Sequence, residues 1–357
     1  MTFDCLIFLT VFCFAVTSAE IDRVIIISRH GDRTPTKSFP NDPYSNDSYW
    51  EDGWGQLTGA GKRRMLHLGQ YLRKTYNKIL SDNPREVEAQ SSEASRCVES
   101  LLVMLAGLYP PKGRWQWHES INWQPIAIRV RESKSNGMLA KSRCPALESE
   151  MADIRRSKEV EELSKKHELI LSKVEKFTSI GNVYKARHVM STMQIQQQVG
   201  LQQPEWYTNE IQEEMKNIRG SLFHLDSSTK IVQRLKAGLI FREIRIILKK
   251  EKNRYRNKKL FLMSTHDNKI NVFNKKPPPF GSSVIIELHN MSKNQYIRAY
   301  YLNETHTENA VPLMFPFCNS KSICPLPTFL KYIEEFIMKS WRKECKMQIV
   351  SESIESL

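Results

Sequence analysis

The chain has 357 residues, 40% of them hydrophobic, with 53 Lys and Arg against 39 Asp and Glu and a formal net charge of +14. That length suits one large core with an insertion. No zinc-ligand spacing or RNA-recognition string accompanies the basic charge, which therefore points to phosphorylated substrates or glycosaminoglycans and away from nucleic acid. Residues 1–19 carry an apolar core from Cys5 to Val16 and then Thr17-Ser18-Ala19, whose small residues suit a signal-peptidase site. This segment is expected to be a signal peptide, with a mature chain from Glu20. The apolar run is too short to anchor in a bilayer, so a secreted, extracellular product is predicted rather than a membrane-anchored lysosomal one.

Beyond the leader, strand and helix signals alternate. A strand over 24–28, a helix over roughly 58–80, a strand near 86–90, a helix over roughly 93–108 and a strand around 124–130 form the pattern of a layered α/β domain. From Pro145 to about Leu235 the composition shifts to Glu, Lys, Gln, Met and Leu, the mark of several amphipathic helices. Core signals then resume with a helix across 230–250, strands at 260–265, 283–288 and 296–301, and a last helix from Thr328 to Arg342. The predicted fold is α/β, with helices on both faces of a mixed, mostly parallel sheet and an inserted helical cap. Core is expected over 20–135, cap over 136–235 and core again over 236–357. Pro277-Pro278-Pro279 reads as a stiff connector.

One string stands out chemically. Arg29-His30-Gly31-Asp32-Arg33-Thr34-Pro35 directly follows the β-branched run Val24-Ile25-Ile26-Ile27, which places a histidine between two guanidinium groups at a strand end. Open α/β sheets bind ligands at such ends. The string resembles the signature of the histidine acid phosphatases, and the similarity continues through Asp52 to Thr58, Leu68 to Arg73, Ala106 to Pro111 and Ser264-Thr265-His266-Asp267. The stretch from Gly113 to Ile126 is most similar to insect acid phosphatases, including those of venoms.

The resemblance implies that His30 is the nucleophile, that Arg29, Arg33 and His266 bind the phosphoryl group, and that Asp267 donates a proton to the leaving group. Flanking arginines should keep His30 neutral, and a carboxyl group donates only while protonated, so an acidic optimum follows. The implied reaction passes through a phosphohistidine and needs no metal or other cofactor. Neither the paired Asp-His and Asn-His strings of a metallophosphatase nor a Cys-phosphatase loop is present. The remaining histidines are isolated and receive no role.

Losing Cys5 and Cys13 with the leader leaves five cysteines, an odd number. The resemblance implies bridges from Cys144 to Cys345 and from Cys318 to Cys324, with Cys97 a buried thiol. Asn46, Asn290 and Asn303 head glycosylation sequons. A homodimer is a further expectation. Two departures from the family pattern bear on activity: Gln90 stands where a third phosphate-binding arginine is expected, and the segment after Asp267 is short. They motivate the rival expectation of a weakened homologue that binds a phospho-ligand without turnover. A phytase-type or mutase-type enzyme is the second rival, the mutase disfavoured by the leader.

Overall fold

Val24, Ile25, Ile26 and Ile27 are all buried because β1 (Glu20–Arg29) runs through the middle of an eight-stranded sheet covered on both faces. Alternate side chains point to opposite faces, so Val24 and Ile26 join one apolar cluster and Ile25 and Ile27 the other. This computed structural model describes residues 20–132, 137–139, 143–269 and 277–347. The expected signal peptide and most of the short segment after Asp267 lie outside the described residues.

The remaining strands are β2 (Val87–Ser92), β3 (Ile128–Arg131), β4 (Leu260–Thr265), β5 (Ser283–Met291), β6 (Asn294–Leu302), β7 (Ala310–Pro312) and β8 (Ile323–Pro325). They are ordered β3-β2-β4-β1-β5-β6-β7, with β8 also on β6. The expectation of a mostly parallel sheet holds for half of it. β3, β2, β4 and β1 are mutually parallel, whereas β5 to β8 add antiparallel. The reason is local: only Ser292 and Lys293 separate β5 from β6, and a two-residue link permits only a hairpin.

Helices α1 (Gly59–Thr75) and α2 (Ser95–Leu108) cover the Val24 and Ile26 face. Between β3 and β4 lie α3 (Pro145–Arg155), α4 (Lys158–Lys166), α5 (Glu168–Thr178), α6 (Val183–Gln198), α7 (Asn209–Leu225) and α8 (Lys230–Leu248). Val160, Val174, Met193, Met215 and Leu222 give α4 to α7 an apolar core of their own. α8 links this cap to the sheet: Val232 packs on Met151 and Ile154 of α3, while Ile244 and Ile247 pack on the β1 face. It matches the helix expected across 230–250.

The last helix is not continuous over Thr328 to Arg342. α9 (Leu326–Glu334) stops, and α10 (Trp341–Glu344) restarts with Ser340 as its N-cap. The intervening chain turns so that Met338 and Trp341 pack with Leu235 around the bridge between Cys144 and Cys345. A second disulfide joins Cys318 and Cys324, and Cys97 is a buried free thiol on α2. α1 likewise ends before position 80, where Tyr76 leaves the helix to donate its hydroxyl to Glu287 at 2.8 Å.

Backbone contact between α1 and α2 brings the two helices close enough to brace the site. A Cβ on Gly69 would land against the Met104 carbonyl oxygen, and one on Gly107 against that of Leu66. Alanine in place of glycine normally gains about 1 kcal/mol in a helix interior. Gly69→Ala should nevertheless lower the melting temperature, because the helices must separate, with a net cost of about 1–3 kcal/mol. Calorimetry checks the sign. Peptide mapping without reduction should recover the two bridges and a Cys97 thiol that alkylates only after unfolding.

Candidate active site

The site is assembled by strand register. β1 and β4 run parallel with Arg29 opposite Thr265, so Arg29-His30 and His266-Asp267 leave the sheet side by side. The leaving backbone is pinned from three directions: Arg29 N–H donates to Ser282 O at 2.9 Å, His30 N–H to Thr265 O at 3.0 Å, and Gly31 N–H to Ser100 Oγ of α2 at 3.0 Å. As a result the His30 and His266 rings meet edge to face at 5.5 Å between centroids.

His30 Nδ1 lies 2.8 Å from Gly31 O. A carbonyl oxygen only accepts, so Nδ1 carries the proton and Nε2 is left with its lone pair. Burial, then the charges of Arg29 and Arg96, hold this imidazole neutral well below the usual histidine range. That combination is what a nitrogen nucleophile in an acidic medium requires.

The surrounding charge is unbalanced. Arg29 donates to Pro278 O at 2.7 Å, meets Asp267 Oδ2 at 3.2 Å, and stacks its guanidinium 4.1 Å from the Phe280 centroid. Arg33 donates to Thr34 O at 2.8 Å and has its pKa pushed down to about 9 by burial and by Arg29 and Arg96. Arg96, in the first turn of α2, donates to Gly55 O at 3.3 Å and reaches His266 Nδ1 at 3.4 Å. The Nε atoms of both Arg29 and Arg96 are buried with no hydrogen-bond partner. Buried guanidinium donors without acceptors are costly, and an anion bound at the site would satisfy them.

Asp267 is the carboxylate that faces this cluster. Burial would raise its pKa, but Arg29, Arg219 and Arg33 together overcome burial and hold it at about 2. Asp32, from the same signature loop, is clamped by Arg64 at 2.5 and 3.2 Å and acts on Arg29 less than Asp267 does. His266 is pushed down to about 4, by burial first and then Arg96, and Ser92 Oγ accepts from its Nε2 at 3.3 Å. Lys269, half-buried two residues beyond Asp267, donates to Gly137 O and to Lys236 O, both at 2.8 Å. It ties the single 3-10 turn Asp267–Lys269 to the cap, a brace where the chain is short.

Above the strand ends opens a cavity of about 800 Å3, lined among others by Arg33, Arg96, Arg219, His266, Asp267 and Lys236. The structure thus brings together His30, Arg29, Arg33, His266 and Asp267. It excludes Gln90 from their company, contrary to expectation. On β2 the odd positions Val87 and Ala89 face α1 and α2, so Gln90 points the other way, beneath the site. There its amide donates toward Glu243 at 3.4 Å and Tyr255 at 3.3 Å and accepts from Arg131 at 2.8 and 3.0 Å.

Two cationic groups were missed by the sequence reading. Arg96 sits six residues after Gln90, in the first turn of α2 rather than on β2. Arg219, on cap helix α7, carries no local signal, because only the fold brings it over the strand ends.

Residues 20–302 match the family described as histidine phosphatase superfamily (branch 2). The chain belongs to that family. This histidine phosphatase is 29% identical over 360 residues to venom acid phosphatase Acph-1 of Apis mellifera, covering 95% of this chain and 91% of that one. It is 30% identical over 340 residues to lysosomal acid phosphatase of Rattus norvegicus, covering 91% and 80%. Among solved structures, the phytase of Citrobacter braakii shares the fold with a TM-score of 0.71 at 18% identity, over 92% of this chain and 100% of that one.

Placing a cation at position 90 would bury it beside Arg131. Gln90→Arg should therefore destabilise this histidine phosphatase without raising kcat/KM. Arg96→Gln, by contrast, should lower kcat/KM for an aryl phosphate about a hundredfold or more, the usual loss for one preorganised oxyanion donor. Steady-state kinetics beside a melting curve of each variant decides.

Proposed function

We propose that this chain is a secreted acid phosphatase that hydrolyses phosphate monoesters through a phosphohistidine on His30. The observation that carries the reading is a neutral, buried His30 beside Arg29, Arg33 and Arg96, with two buried Nε–H donors lacking any acceptor. A phosphoryl group supplies those acceptors and the missing negative charge.

In the first step His30 Nε2 attacks phosphorus, the phosphorus–oxygen ester bond breaks, and Asp267 protonates the departing alkoxide. Water then attacks the phosphohistidine while Asp267 takes its proton, the phosphorus–nitrogen bond breaks, and neutral His30 and inorganic phosphate result. Asp267 is ionised in the empty site. A bound phosphoryl dianion cancels much of the guanidinium charge that depresses it, so its pKa rises in the complex and protonation at acidic pH becomes accessible. The rate should then fall as pH rises through that complexed pKa. His30 stays a free base in the same range because its own pKa is held down.

The leader sequence, the sequons at Asn46, Asn290 and Asn303, and the two disulfides support secretion. Asn46 is exposed at the cap of a short 3-10 turn, the most open of the three positions. Among the described residues no helix is long and apolar enough to cross a membrane. The division into core over 20–135 and 236–357 with a cap over 136–235 belongs to the same reading. So does a homodimer, for which edge strand β3 and the exposed Trp117, Trp123 and Val130 beside it offer a surface. Binding without turnover is the weaker reading, since Arg96 brings the positive charge that Gln90 lacks.

Hydrolysis of p-nitrophenyl phosphate should peak below pH 7 and be indifferent to EDTA. His30→Ala should abolish both turnover and acid-labile phosphate on the protein. Asp267→Asn should slow alkyl phosphates by about 10²–10⁴-fold, the range of general acid catalysis, and slow p-nitrophenyl phosphate less, because nitrophenolate leaves without a proton. Full activity in the His30 variant, or loss of activity to EDTA, contradicts the mechanism.

A further inference from the structure

We propose that Arg219 holds a second phosphate carried by the alcohol part of the substrate, so that bisphosphorylated esters are preferred over simple monoesters. The inference deepens the hydrolase reading and rests on it.

Three observations lead there. First, Arg219 is a cation in want of a counter-ion: its guanidinium donates to Gln194 Oε1 on α6 at 3.0 Å, and among the described residues it forms no ion pair. Its neighbour Arg187 differs, being matched by Asp226 at 2.7 Å. Second, Arg219 arrives from the cap, opposite the strand ends that supply Arg29 and Arg33. Those two and Arg96 already suffice for one transferred phosphoryl group. Arg219 interacts electrostatically with Arg29 and then with Asp267, the group assigned to the ester oxygen, so its charge reaches the cluster from the cap side, where the alcohol part of the ester must lie.

Third, the cavity continues past the reaction centre. Its volume of about 800 Å3 lies in the range that holds drug-sized ligands, far more than one phosphate needs. Arg155, whose guanidinium lies 5.6 Å from the Tyr184 ring centroid, and Lys236, which donates to the Asp226 carbonyl, line the same cavity. Burial and the nearby Arg29 push Arg219 down to about 10, so it remains charged throughout the acidic and neutral range. A second phosphate would therefore meet a desolvated, permanently charged guanidinium backed by further cations, where charge-assisted bonds are strong.

The test compares propanediol bisphosphate with propanediol monophosphate as substrates of the full-length protein, with p-nitrophenyl phosphate as reference. The wild type should favour the bisphosphate at least tenfold in kcat/KM after the twofold statistical factor. In Arg219→Met that preference should collapse to below threefold, mainly through KM, and Arg219→Lys should recover part of it. The methionine variant should also shift the pH profile for propanediol monophosphate upward, since Asp267 loses one of the charges that depress it. A wild type that hydrolyses p-nitrophenyl phosphate without preferring the bisphosphate overturns this inference alone. Equal losses on all three esters in both variants overturn it as well. A wild type that hydrolyses none of them brings down the hydrolase reading and this one together.

Discussion

Four guanidinium groups, those of Arg29, Arg33, Arg96 and Arg219, converge on a region where Asp267 is the carboxylate that pairs with Arg29, with Asp32 a further anionic neighbour of Arg29 already clamped by Arg64. Like charges at such proximity in a desolvated site repel, and the surrounding structure must hold them there. Burial of Arg29 at the end of β1, its bond to Pro278 and its stacking on Phe280 do so on one side. The contact of Arg96 with Gly55 and His266 does so on another. The cluster is a site preorganised for an anion, and the stability sacrificed to build it is recovered when one binds.

Everything that positions the cluster comes from the sheet and the two helices on it. Parallel pairing with Arg29 opposite Thr265 makes two histidines neighbours that lie 236 positions apart in the chain. The glycine contact between α1 and α2 lets Ser100 reach the Gly31 amide and places Arg96 beside His266. The cap then closes the region from above and adds Arg219. Exposed to water, these guanidinium charges would interact far less strongly.

Legibility from sequence followed the range of the interactions. The central strand, the signature loop and the pair His266-Asp267 could be read because each is a local pattern: an apolar run, a turn glycine, a strand followed by polar residues. Helix ends were harder, since Tyr76 and the α9–α10 break are set by contacts with Glu287 and with α8 that no local window contains. The site was misread where facing mattered. Gln90 and Arg96 occupy one string, yet β2 turns Gln90 beneath the sheet while the start of α2 turns Arg96 toward the phosphate position. Pro277 to Pro279, read as a mere connector, supplies the carbonyl that orients Arg29. Arg219 was invisible for a simpler reason: an arginine on a polar helix looks like solvated surface until the fold places that helix over a cavity.

The central claim is that anion charge converts Asp267 from carboxylate to carboxylic acid. Sulfate is a suitable probe because it stays dianionic at pH 5 and brings no proton of its own. Calorimetric titration with sulfate in buffers of different ionisation enthalpy reads proton uptake directly. Uptake approaching one proton per sulfate in the wild type, and none in Asp267→Asn, is the expected result. Sulfate binding with no proton uptake in the wild type would contradict it.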